Sequence, residues 1–68
     1  MHTYEVREIG TDRTITVRAK NAANAARRIT KKRVEQWLTT RNADGTGGVY
    51  ELWTGNTFYT RVSVYLVK

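Results

Sequence analysis

Sixty-eight residues with no Cys form one small domain, near the lower size at which a single apolar core suffices, and they exclude disulfides and thiolate metal sites. Twelve Lys and Arg against six Asp and Glu leave a net charge of +6. That sign favours a polyanion or an acidic protein surface as partner, although basic charge serving only solubility gives the same sum.

Tyr4-Glu5-Val6-Arg7-Glu8-Ile9 opens the chain with period-2 alternation, which predicts a first strand with Tyr4 and Val6 on one side. Gly10-Thr11-Asp12 is turn chemistry, and Arg13 to Ala19 returns as a second strand. The core face of this hairpin is expected at Tyr4, Val6, Ile15, Val17 and Ala19. Arg7, Thr14, Thr16 and Arg18 then share the opposite face.

At Asn21 the period changes. Ala22, Ala25, Ala26 and Ile29 have the 3–4 spacing of one helix face, and Asn21 can accept from the unpaired N–H groups of the first turn. Arg27, Arg28, Lys31 and Lys32 suit a helix C-terminus, so the helix is expected to end near Lys32. A third strand then starts at Arg33, with Val34, Gln36, Leu38 and Thr40 alternating with Glu35, Trp37 and Thr39. The rival is one helix through Thr40 using Val34, Trp37 and Leu38. It sets Arg33 in the middle of the apolar stripe, where its charge must snorkel or pair.

Asn42-Ala43-Asp44-Gly45-Thr46-Gly47-Gly48 is a loop. Its glycines suggest a phosphate cradle, but no helix with Lys-Ser/Thr follows, so a mobile hairpin loop is expected instead. Val49 to Thr54 reads as a strand, and Gly55-Asn56 as a two-residue hairpin turn. Thr57 to Lys68 is the last and longest strand. Phe58, Val62, Val64 and Leu66 are assigned to the core, and Tyr59, Arg61, Ser63 and Tyr65 to the other face, with Thr60 the one break in the alternation.

The order strand, strand, helix, strand, strand, strand implies an α+β domain. The expected form is two-layer: an antiparallel sheet of about five strands (ββαβββ) with one helix packed on one face. The other face is then wet or is an interface. It would carry Arg18, Trp37, Trp53, Tyr59, Arg61 and Tyr65, with Arg7, Arg33 and Arg41 nearby. Such residues can stack bases and hold phosphates, form a protein hot spot, or simply cover one another across strands. A second candidate surface is the basic outer face of the helix, with Arg27, Arg28, Lys31 and Lys32 and, near its start, Lys20. It can rest on a phosphate backbone or be an ordinary solvated face.

Catalysis finds little support. The one His, His2, follows the start Met, and Glu5, Glu8, Asp12, Glu35, Asp44 and Glu51 form no paired or metal-ligand spacing. No enzyme activity, cofactor or metal is expected. No signal-peptide core follows Met1, so the chain is expected to be soluble and cytoplasmic, with no membrane partner.

The order of elements, with a Tyr-containing first strand, a second strand ending in Ala19, then Asn21 and Ala26-Arg27-Arg28-Ile29, resembles the small phage-encoded anti-CRISPR proteins of type I-F. The final hairpin turning at Gly55 is similar too. The resemblance implies a non-enzymatic inhibitor that docks on an RNA-guided surveillance complex and blocks pairing of target DNA with the guide. It assigns binding roles to Arg27 and Arg28, with Lys32 just beyond. Trp37, Trp53 and the longer loop at 42–48 depart from the pattern. The expected function is therefore a phage or mobile-element protein that modulates host nucleic-acid machinery in the cytoplasm of an infected bacterium. Its partner would be a host protein or nucleoprotein complex, and the chain a monomer or weak homo-oligomer. Direct, sequence-tolerant binding of DNA or RNA and a small virion or assembly protein are the alternatives.

Overall fold

The computed structural model describes residues 1–67 as an α+β fold. Its elements are β1 (His2–Glu8), β2 (Thr14–Ala19), α1 (Ala22–Arg27), β3 (Glu35–Arg41), β4 (Gly48–Thr54) and β5 (Thr57–Leu66). The strands form one open sheet in the order β2-β1-β5-β4-β3, with every neighbouring pair antiparallel. The last strand in the chain is thus the central one. Its expected final residue, Lys68, lies outside the described residues.

The buried residues lie on one face of the sheet. Tyr4 and Val6 of β1, Ala19 of β2, Tyr50 and Leu52 of β4, and Val62 and Val64 of β5 form one cluster with Ala22, Ala25, Ala26, Ile29 and Val34. Alanine at three helix positions lets α1 approach the strands closely, and it touches all five. Six residues make a helix only about 9 Å long. At its margins Ile15, Val17 and Leu66 are only partly buried.

Asn21 caps α1, its side-chain oxygen accepting from the Asn24 N–H at 2.9 Å. The helix stops at Arg27, well short of Lys32, and Arg28 is its C-cap. The reason is local. The Thr30 hydroxyl accepts the Lys32 N–H at 3.1 Å, a donor that a continuing helix would send to the Arg28 carbonyl. Ile29 meanwhile sinks to 1% exposure beyond the last turn. Lys31 and Lys32 therefore belong to an irregular segment and not to a helix face.

Two β-bulges change which side chains face which way. Leu52 pairs with Thr60 and Trp53 with Phe58, so Tyr59 is an extra residue on β5. Phe58 is thereby turned away from the core, and Tyr59 packs against it, with the Lys32 ammonium 4.6 Å from its ring centre. Unbroken alternation assigns both residues the other way round. The second bulge falls at Thr39, between the Leu38–Tyr50 and Thr40–Val49 pairs, where the Thr39 hydroxyl donates to the Val49 carbonyl at 3.0 Å. Beyond it Arg41 stands opposite Gly48, in register with buried Val64, and so lies on the core side rather than near the open face.

Hydrogen bonds close the loop at 42–47. The Asn42 N–H donates to the Gly47 carbonyl at 2.8 Å, and the Asn42 side-chain amide donates to the Val64 carbonyl at 2.9 Å. The Asp44 carboxylate accepts from both the N–H and the hydroxyl of Thr46. A Cβ at Gly47 would fall 2.2 Å from the Val64 carbonyl oxygen, and one at Gly48 2.1 Å from that of Thr40. Glycine is required here by close backbone approach. No helix among the described residues is long and apolar enough to cross a membrane.

Candidate functional site

Side chains of β3, β4 and β5 that alternate with the buried ones form a compact outward cluster. Glu35 faces Trp53 and Trp37 faces Glu51 across the β3–β4 ladder, while β5 brings Arg61 opposite Glu51 and Phe58 opposite Trp53. Antiparallel pairing on one face places such partners within contact range. Trp53 and Phe58 meet edge to face, ring centres 5.7 Å apart at 79°. The Arg61 guanidinium lies 5.8 Å from the Phe58 ring centre and 3.1 Å from a Glu51 carboxylate oxygen.

Glu51 is the hub of the cluster. One oxygen accepts from Arg61 and the other from the Trp53 indole N–H at 3.2 Å. The Arg61 hydrogen bond, then the Trp53 one, holds its carboxyl below the ordinary 4.5, against a smaller upward push from burial. Trp37 stands apart, 58% exposed. Between the two indoles runs an open groove of about 590 Å³, lined by Glu35, Trp37, Glu51, Trp53, Gly55 and Asn56.

A second concavity, of about 400 Å³, is lined by Arg27, Arg33, Val34, Glu35, Trp53 and Gly55. The two share Glu35, Trp53 and Gly55, so a basic surface adjoins the aromatic one.

The expected sheet-face set is divided. Trp37, Trp53 and Arg61 come together. Tyr65 faces outward but pairs with Glu5, and Arg18 pairs with Thr3 on the edge strand, so both occupy the other half of the face. Tyr59 is removed from the open face by the bulge. The expected helix patch is divided as well. Arg27 lies on α1 and donates to the Asn24 side-chain oxygen, Arg28 caps the helix, and Lys31 and Lys32 follow it. Lys20 lies at the opposite end, before the N-cap.

Phe58, Glu35 and Glu51 belong to the site, although the residue pattern did not single them out. The break at Thr60 was the one signal of the bulge that exposes Phe58. Nothing local marks Glu51, whose role depends on partners on two other elements.

Burial raises the Tyr50 phenol, offset in part by the Arg41 charge, and Tyr50 lies in the core away from the groove. Among the described residues no group of three or more His, Cys, Asp and Glu could hold a metal. No protein-family model matches the chain, and no match is found among the curated proteins or the solved structures.

Proposed function

We propose that this domain works by binding rather than catalysis, as a phage or mobile-element modulator of host nucleic-acid machinery. In this reading the domain is two-layer: α1 shields one side of the sheet and the other side docks. The partner is a host nucleoprotein such as an RNA-guided surveillance complex, met in the cytoplasm of the infected cell. The observation that carries the reading is the adjoining of two unlike surfaces along Glu35, Trp53 and Gly55. One is aromatic and holds two carboxylates; the other is basic, fed by a run from Arg27 to Arg33 that contains no acid.

A nucleoprotein offers both matching chemistries, phosphate for the cations and protein for the tryptophans. The resemblance to type I-F anti-CRISPR proteins supports the same assignment, with Arg27, Arg28 and Lys32 on the phosphate side. A second reading, direct binding of single-stranded DNA or RNA, draws on the closeness of Arg27 and Arg33 to Trp53, because stacking platforms beside cations track such strands.

Salt titration separates the two. Direct binding gives an affinity for random single strands that falls by roughly 0.7 log units per log unit of salt for each phosphate contact. Docking gives weak affinity for bare strands and firm capture of the complex, lost in Trp37→Ala.

A further inference from the structure

The register of β3 on β4 makes a two-by-two block on the open face. Trp37 and Trp53 occupy one diagonal, and Glu35 and Glu51 the other. Diagonal positions on adjacent antiparallel strands lie about 7–8 Å apart, wide enough for a planar group to enter between two rings. The indoles are not in ring contact with each other; Trp53 packs edge to face on Phe58 instead. Glu51 is already bonded by Arg61 and Trp53, whereas Glu35 is exposed and forms no ion pair among the described residues.

Resting on the docking reading above, we infer that the groove between Trp37 and Trp53 receives an arginine side chain from the protein component of the partner. Charge complementarity selects this occupant. Indole faces attract cations, and the Glu35 carboxylate on the crossing diagonal, which no cation among the described residues offsets as Arg61 offsets Glu51, adds to that field and would repel a phosphate. Guanidinium fits better than ammonium, because it is planar, stacks on rings and donates in a fork to a carboxylate. The domain shows the same combination within itself, where Arg61 lies over Phe58 and bonds Glu51. The net charge of +6 does not oppose this at contact range, since screening limits exposed charges to about 8 Å at physiological salt.

The test uses the full chain, labelled so that the two indole N–H signals are resolved by NMR and assigned with Trp37→Phe. The probes are blocked Gly-Arg-Gly, the same peptide with uncharged citrulline for arginine, and an oligothymidylate. The inference expects the arginine peptide to shift both indole signals saturably, with the citrulline peptide at least tenfold weaker. Glu35→Gln, an exposed change that leaves the fold intact, should weaken the arginine peptide severalfold. Equal binding of the two peptides would overturn the inference. So would an oligothymidylate that shifts both indoles where the arginine peptide does not. Failure of the host-complex reading looks different: the complex would not be captured, yet the peptide response would remain.

Discussion

The open face of the sheet has two halves built on the same strand geometry. Where β1, β2 and the end of β5 lie, pairing runs without a shift and the outward residues are Thr3, Thr14, Thr16, Arg18, Glu5 and Arg7, with Tyr65 opposite Glu5. Where β3, β4 and the start of β5 lie, two bulges interrupt the ladders, and the outward residues include two tryptophans, Phe58, Arg61 and two glutamates. Regular alternation gives a mainly polar surface with a single ring, Tyr65, in the first half. In the second, one extra residue on β5 turns Phe58 out beside Trp53 and sets Tyr59, partly buried, against the core in its place. The β5 bulge therefore does more than bend the strand: it selects which aromatic ring packs on Trp53 beside the groove.

The largest effect separating the halves should come from their glycines. Gly48→Ala drives a Cβ into the Thr40 backbone and is expected to cost about 3 kcal/mol or more. Gly10→Ala in the β1–β2 turn has open space, and its φ of +92° should cost only about 1–2 kcal/mol. Urea denaturation orders the two, and a milder Gly48→Ala would argue against the close approach of β3 and β4. In a domain of this size total stability is about 3–10 kcal/mol, so the first variant should populate the unfolded state.

The β5 bulge has its own signature. Tyr59→Ala should destabilise by about 2–3 kcal/mol through lost core packing, and Phe58→Ala by about 1 kcal/mol. The reverse ranking in the same urea experiment would restore unbroken alternation.

Docking should divide the halves in the same way. Trp37→Ala is expected to remove about 2 kcal/mol of affinity for the partner while leaving the melting temperature nearly unchanged. Tyr65→Ala, in the other half, should cost less than about 1 kcal/mol. Equal losses measured by calorimetry would mean that the whole face is engaged.

The smallest effect concerns Glu51. Its carboxyl titrates below 4.5 in the folded domain, so its contribution to stability is present above pH 4.5 and is lost as pH falls through the lower folded value. Arg61→Ala should move its side-chain NMR titration midpoint up towards 4.5, and an unmoved midpoint would remove Arg61 as the cause.

Much of this architecture is legible in the residues. Period 2 at Tyr4, Val6, Ile15 and Val17, and the helical spacing of Ala22, Ala25, Ala26 and Ile29, each follow from one buried side. The outward placement of Trp37 and Trp53 follows from the same count. The end of α1 was not legible, because Thr30 capturing the Lys32 N–H depends on one hydroxyl against an otherwise helical run. The exchange of Phe58 and Tyr59 was hidden for a similar reason: a single extra residue reverses the phase, and both neighbours are aromatic. The carboxylates of the groove lay further out of reach, since Glu35 and Glu51 acquire meaning only from the pairing of β3 with β4.

The most direct test of the docking claim is the affinity of the chain and of Trp37→Ala for a purified RNA-guided surveillance complex, measured alongside bare single-stranded DNA. The account predicts binding to the complex that weakens about thirtyfold in the variant, with little affinity for the bare strand. Identical affinities for the two chains, or binding to the strand alone, would contradict it.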